Sequence, residues 1–399
     1  MSGVHQFVPM LHREDAVGQH ALAVQALLRA RGVPSEVYVE LPDPETVHLT
    51  RPVDSYPEHA ATDDVLVYQF ATPSPMARWL AGRDEVLVVN YHNITPPECF
   101  APWDNLLARR HVAARDELSA LAGRARLGVA VSEFNRADLA AAGFAETRVV
   151  PPVVHLLGPG DAATPSATVA REGADSHPEV EPETKGEAEG EIWGSTGRGP
   201  GGNAPARPGS TGSRWLTVGR LAPNKAVELV VEALLVHRVR HDAGATLSVV
   251  GRPALASYAR ALHAFVAELG LAGAVRFEGR LGDDALRHAY RSSDVLVVAS
   301  EHEGFCLPVV EAMAHDLPVV ARRRGAIPEV LGDAGILLDA PGPFALSDAI
   351  AEVVGDPGVR HGLVDAGRRR LATLALGDAG AQLVELLLSV RAPAGRAGS

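Results

Sequence analysis

Two carboxylates, Glu303 and Glu311, stand within the run Glu301-His-Glu-Gly-Phe-Cys-Leu-Pro-Val-Val-Glu-Ala-Met-Ala314. The run follows an apolar stretch, Asp294-Val-Leu-Val-Val-Ala-Ser300, that reads as a strand. It then opens a helix with Pro308 in the first turn, where a missing N–H costs little. Leu307, Val310, Met313 and Ala314 form the expected buried face of that helix. In an open parallel sheet, ligands bind in the crevice outside the carboxyl ends of the strands. Glu303 in the loop and Glu311 in the helix can therefore grip two parts of an elongated, hydroxyl-rich ligand. The ordinary alternative is a solvated loop charge and an exposed helix residue.

A second constellation counts against that alternative. Trp215-Leu-Thr-Val-Gly-Arg-Leu-Ala-Pro-Asn-Lys225 reads as a strand, a glycine turn, and then Arg220 and Lys225 at the entrance to a helix. A helix N-terminus offers free N–H groups and partial positive charge, so two cations there favour a diphosphate. Arg can chelate two phosphate oxygens, whereas Lys acts as a mobile point charge. Gly251-Arg252 and Gly279-Arg280 repeat the glycine after a strand; plain turn formation is the commoner reason for such a glycine. Nearer the start, Asp15-Ala-Val-Gly18-Gln-His20 opens a helix after the first strand, and Gly18 would let a ligand approach its backbone amides. Tyr91-His92-Asn-Ile-Thr-Pro-Pro97 puts His92 at another carboxyl strand end, where it could donate to a hydroxyl or shuttle a proton. His12, His20 and His302 are weaker candidates of the same kind.

The elements that must position these residues are legible as alternating strands and helices. Residues 1 to 156 carry short apolar runs at Val4–Val8, Ser35–Glu40, Val65–Gln69, Val86–Asn90, Leu127–Ser132 and Thr147–Val150, separated by helical patterns. Residues 214 to 375 repeat the alternation, and a further helical segment closes the chain at 376 to 399. Such alternation argues for βαβ units and parallel sheets. The fold class is α/β, with two doubly wound Rossmann-like domains facing a cleft. Residues 157 to 213, rich in Gly, Pro, Ser, Thr and Glu, offer few core-forming side chains and read as a disordered insert.

Composition agrees. A chain of 399 residues with 46% hydrophobic content can fill two cores. A net charge of −12 argues against a general nucleic-acid binder. Two cysteines, Cys99 and Cys306, fit a reducing, cytoplasmic setting and supply neither a disulfide framework nor a metal site. No 18-residue apolar run is evident, although a peripheral contact with the inner face of a membrane stays open.

Together these residues resemble the retaining family-four glycosyltransferases, which have the GT-B fold. The specific part is Val-Gly-Arg220…Lys225 combined with Glu303-Gly-Phe…Glu311-Ala-Met-Ala. The resemblance implies that Arg220 and Lys225 hold the donor diphosphate. It implies that Glu303 and the Gly304, Phe305, Cys306 and Leu307 segment position the donor sugar, with Glu311 on the ribose. Gly18 and His92 match the amino-domain loop glycine and the cleft histidine that faces the transferred sugar, and Arg252 and Arg280 join the donor side. Relatives often have Gly where Cys306 and Asp316 stand, and Arg322–Arg324 replaces a more neutral loop. The implied reaction moves a hexosyl group from a nucleotide sugar to a hydroxyl acceptor with retention. No resident cofactor is expected and, with no Asp-x-Asp at a strand end, no metal is required. A nucleotide-sugar epimerase of the same fold and a non-catalytic nucleotide-sugar-binding module are the alternatives. Donor base, acceptor and oligomeric state have no readable code. A basic stretch with Arg109, Arg110, His111, Arg115, Arg124 and Arg126 suits a lipid surface or an anionic acceptor, or simple solvation.

Overall fold

The computed structural model describes residues 2–13, 15–57, 63–154, 156 and 212–391. The first part runs β1 (Val4–Met10), α1 (Ala16–Ala30), β2 (Val37–Leu41), β3 (Arg51–Pro52), β4 (Val65–Phe70), α2 (Met76–Ala81), β5 (Val86–Tyr91), α3 (Asn105–Ala122), β6 (Leu127–Ala130), α4 (Glu133–Ala141) and β7 (Thr147–Val149). The second runs β8 (Arg214–Val218), α5 (Val227–Arg240), β9 (Thr246–Val250), α6 (Ala256–Glu268), β10 (Val275–Gly279), α7 (Asp283–Ser292), β11 (Val295–Val298), α8 (Leu307–Ala314), β12 (Val319–Arg322), α9 (Ile327–Leu331) and β13 (Gly335–Leu338). Three helices follow: α10 (Pro343–Gly355), α11 (Pro357–Thr373) and α12 (Leu376–Ser389). The insert expected at 157–213 lies outside the described residues except for Gly212 and Ser213. Those two are packed, with the Ser213 N–H donated to Asp242 at 2.7 Å.

The strand orders are β3-β2-β1-β4-β5-β6-β7 and β10-β9-β8-β11-β12-β13, with parallel pairing throughout. Each order reverses once, between β1 and β4 and between β8 and β11. At such a reversal the flanking connections leave toward opposite faces and open a crevice at the carboxyl ends. Helices cover both faces of each sheet, so central strands are apolar on both sides: Val295–Val298 is buried throughout, as is Val65–Phe70. Within the first sheet three buried amides, Gln6, Gln69 and Asn90, interrupt that apolar pattern.

Asp356 caps α11, accepting the Gly358 and Val359 N–H groups, and Pro357 follows in the first turn. This starts the helix at Pro357. The α12 helix returns to the first sheet, where Ala379, Leu383, Val384 and Leu387 join Val4, Val24 and Leu28 in one core. The stretch Pro357–Ser389 is long and apolar enough on composition to cross a membrane, contrary to the sequence reading. It is nevertheless two helices, because Ala375 turns left-handed between them (φ 49°), and neither reaches the ~20 residues a span needs. Sheets and helices together form one compact unit.

Candidate active site

At the reversal of the second sheet, β8 is followed directly by Gly219 and β11 by Ala299 and Ser300. The chain after Gly219 makes a short turn, Pro223–Lys225, and enters α5 through left-handed Ala226. That turn and the loop after β11 are tied together: Glu301 N–H donates to the Asn224 carbonyl (2.8 Å), and the Asn224 amide donates to the His302 carbonyl (3.2 Å). The tie brings Lys225 Nζ to 2.6 Å from Glu303 Oε1, which also accepts the Ser300 hydroxyl at 2.7 Å. Thr217, Gly219, Lys225, Val298 and Ser300 line a small pocket beside this pair. The two side chains are 21% and 10% exposed, so the pair is held but still reachable from solvent. A buried pair of this kind adds little net stability, yet losing one partner leaves the other charge poorly compensated.

Glu311 lies one helix further in. Almost all of α8 is buried: Val309, Val310, Ala312 and Met313 pack inside, whereas Leu307 and Ala314 of the expected face are half-buried. Glu311 itself is buried, which rules out an exposed helix charge, and it accepts the Tyr290 hydroxyl at 2.6 Å. Burial pushes its carboxyl up to about 7, while the Tyr290 hydrogen bond pulls the other way. The carboxyl therefore titrates near neutrality. Tyr290 is in turn stacked on His315, with ring centroids 5.3 Å apart.

The loop carrying Glu303 is seated on residues of the first sheet. Gly304 lies directly under the His92 backbone carbonyl, and a Cβ at 304 would overlap that oxygen and the Asn93 side chain. Ser132 donates its hydroxyl to the Gly304 carbonyl (2.8 Å), His302 meets Asn93, and Asn93 donates to Asn135 (2.6 Å). Glu329, on α9, accepts the Glu133 and Phe134 N–H groups at the start of α4 (2.7 and 3.1 Å), an anion at a helix N-terminus. Gly304→Ala is expected to lower kcat/KM by about 10- to 100-fold, because it pushes Glu303 away from His92 by a fraction of an ångström or more. A variant that turns over like the wild type would show that this seat is not used.

The other expected residues are distributed as follows. His92 follows β5, mostly buried, with Nε2 2.7 Å from Gln69 Oε1; burial of the ring lowers its pKa to about 4. The Phe305 and Cys306 side chains belong to the core with Val131, so only their backbone can face a ligand. Cys306 adopts the left-handed conformation (φ 70°), which explains why glycine suits this position. Arg220 is exposed, close enough to α3 that its charge helps to depress His111. Arg252 is exposed, and Arg280 reaches Glu45 at 3.4 Å rather than the pocket. Gly18 departs from expectation: its N–H is taken by the Asp15 carboxylate (2.6 Å), and the space a Cβ would fill is occupied by the His12 carbonyl. Glycine is needed there for the loop's own packing. The Arg322–Arg324 run is likewise engaged, Arg322 with Glu301, Arg323 with Asp339 (2.8 Å) and Arg324 with the Arg323 and Asp339 carbonyls. On α3, Arg109, Arg110 and Arg115 are exposed, whereas Arg124 beyond it donates to the Arg83 and Glu85 carbonyls. Among the described residues no three His, Cys, Asp or Glu side chains gather as a metal set.

Ser300, Tyr290, Ser132, Asn93 and Glu329 complete the site and were not singled out from sequence. Ser300 had a signal, a hydroxyl at a strand's carboxyl end three residues before Glu303. Tyr290 had none, because its partner lies on a different helix.

Residues 212–356 match the family described as Glycosyl transferases group 1. The chain is 35% identical over 156 residues to D-inositol 3-phosphate glycosyltransferase of Acidothermus cellulolyticus, covering 37% of this chain and 35% of that protein. It is 38% identical over 108 residues to MMP alpha-(1->4)-mannosyltransferase of Mycolicibacterium hassiacum, covering 26% of each. The match thus spans about a third or less of these two relatives' own length. Among solved structures, sucrose-phosphate synthase from Thermosynechococcus elongatus superposes with a TM-score of 0.68 at 17% identity, over 98% of this chain and 99% of that one. Anabaena HepE in complex with UDP-glucose superposes with a TM-score of 0.67 at 17% identity, over 97% and 99%. At such identity these two share the fold.

Proposed function

We propose, from the match of residues 212–356 to the family described as Glycosyl transferases group 1, that the chain transfers a hexosyl group from a nucleoside-diphosphate sugar to a hydroxyl acceptor, with retention at the anomeric carbon. The observation that carries this reading is the Lys225–Glu303 pair at the carboxyl ends of β8 and β11, with Gly304 seated under His92. Lys225, aided by Arg220, meets the donor diphosphate and stabilises the charge that grows on it as the glycosidic bond breaks. Glu303 and the backbone from Gly304 to Leu307 hold the sugar, and Glu311 takes the ribose hydroxyls. Cations in this role make a metal unnecessary, and no resident cofactor is called for. The acceptor hydroxyl attacks from the face the phosphate leaves, and the departing phosphate takes its proton. The relatives named as a D-inositol 3-phosphate glycosyltransferase and a mannosyltransferase, and the HepE complex with UDP-glucose, support hexosyl transfer from a nucleotide sugar. Exposed Arg109, Arg110 and Arg115 are available to an anionic acceptor. Two unpaired cysteines fit a cytoplasmic setting.

The test is incubation of the full chain with UDP-glucose or GDP-mannose and a panel of hydroxyl acceptors that includes inositol 3-phosphate. The expected result is nucleoside diphosphate release that requires an acceptor, persists in EDTA and yields an α-linked product. Release of an epimerised nucleotide sugar, a β-linked product, or no acceptor-dependent release with any pair would overturn the reading.

A further inference from the structure

Beneath His92, a row of buried amides crosses adjacent strands of the first sheet. Gln6 lies on β1, Gln69 on β4 and Asn90 on β5, with Gln69 level with Asn90 in the strand register. All three are buried within a sheet whose other interior side chains are mostly Val, Leu and aromatic. Buried amides are costly unless each donor and acceptor is met, so such a row has a fixed polarity.

Here the polarity is set from one end. The Gln6 amide touches the backbone carbonyl of Ala21, on α1, at 2.7 Å. A carbonyl can only accept, so Gln6 must present Nε2 to it and direct Oε1 the other way. Gln69 Nε2 donates to that oxygen at 2.8 Å. Gln69 is thereby turned so that its own Oε1 faces β5, where it accepts the Asn90 amide at 3.0 Å. The same oxygen lies 2.7 Å from His92 Nε2. An acceptor at that distance requires the histidine's proton on Nε2, which leaves the ring's lone pair on Nδ1. Three links therefore carry the polarity of one backbone carbonyl to the tautomer of His92. The neighbouring ring, His20, sits edge-on at 5.0 Å, with Nε2 2.7 Å from the Asn90 amide and Nδ1 2.9 Å from the Val153 nitrogen, and burial holds its pKa well below the ordinary value, so it too is a neutral imidazole.

We propose that Gln69 is a positioning residue for the transfer reaction: the Ala21–Gln6–Gln69 relay holds His92 in the Nε2–H tautomer, so that it meets a sugar hydroxyl as a neutral acceptor at Nδ1. The inference rests on the reading of His92 as the residue facing the transferred sugar. A tautomer locked in advance removes the cost of choosing it when substrate arrives. The relay also joins this choice to α1, so the helix and the histidine are fixed by the same hydrogen bonds.

The test uses the full chain with ¹⁵N-labelled histidine. Ring nitrogens are read by NMR between pH 6 and 8, and the His92 signals are assigned by their loss in His92→Gln. The wild type is expected to show Nε2–H throughout. Gln69→Met should lose that preference, lower kcat at least tenfold and keep the Kd for UDP or GDP within twofold. Gln69→Glu should restore the tautomer and most of kcat. Burial keeps that carboxyl protonated, so it offers O–H to Gln6 and a carbonyl to His92. An Nδ1–H tautomer in the wild type would overturn the inference without any variant. So would a Gln69→Met enzyme that keeps wild-type kcat. Failure of the functional reading would show separately, as a wild type that turns over no donor while its tautomer is still as expected.

Discussion

Lys225→Ala is expected to lower kcat/KM by on the order of 100- to 1,000-fold, the loss typical when one preorganised group at a developing negative charge is removed. Two effects combine. The donor diphosphate loses a cation, and Glu303 keeps only the Ser300 hydroxyl from its present partners. Glu303→Gln should lower kcat more than it raises KM, because the group it holds is the reacting sugar. Since both changes break the same 2.6 Å contact, their effects should not add. A double-mutant cycle on kcat/KM is expected to show a coupling of at least about 1 kcal/mol, the range found for residues in contact. Fully additive losses would mean that Lys225 and Glu303 do separate work. Arg220→Ala, at an exposed site, should cost less than Lys225→Ala.

Glu311→Gln should trade binding for stability. In the folded protein burial raises this carboxyl from 4.5 to about 7, so between those pH values the native state keeps a proton that the unfolded chain has released. Raising pH through that window therefore removes stability, and above about pH 7 the loss is complete. Glutamine has no such loss and can still accept the Tyr290 hydroxyl. Glu311→Gln is thus expected to be more stable than the wild type at pH 8, by on the order of 2–3 kcal/mol, and close to it at pH 4.5. Denaturant melts at the two pH values check this. Donor binding should move oppositely. A carboxylate accepts two ribose hydroxyls, so the wild-type Kd for UDP-glucose or GDP-mannose should weaken roughly tenfold per pH unit below 7. In Glu311→Gln it should be weaker and flat with pH. Equal stability and a shared pH profile would mean that Glu311 is ionised throughout and makes no ribose contact.

Much of this architecture could be read from the chain because its signals are local. Strands such as Val295–Val298 and Val65–Phe70 are short apolar runs bounded by polar residues. What escaped was short or depended on distant partners. The β3 strand has two residues, and α9 has five with a proline inside, too few for periodicity to register. Yet α9 carries Glu329, and Ala326 at its start donates to the Glu303 carbonyl at 2.9 Å. The start of α11 is marked in the sequence by Asp356-Pro357, a cap followed by a first-turn proline. The motif pairing of Lys225 with Glu303 was anticipated as two ligands of one donor, but their contact with each other was not. Gly18 carried the opposite lesson: a helix-start glycine suggested ligand approach, whereas the His12 carbonyl already fills that space. Polar residues inside apolar strands, Gln6 and Gln69, were visible in the sequence as exceptions, but only packing reveals that they address His92.

The most direct test of the account is the binding of UDP, GDP, ADP and TDP to the wild type, Lys225→Ala and Glu311→Gln at pH 8, followed by thermal shift and titration calorimetry. At least one diphosphate should stabilise the wild type. That same nucleotide should bind at least tenfold more weakly to each variant, as expected if the diphosphate lies at Lys225 and the ribose at Glu311. Stabilisation of all three proteins to the same extent, or of none by any of the four nucleotides, would contradict a nucleotide-sugar site between β8, β11 and α8.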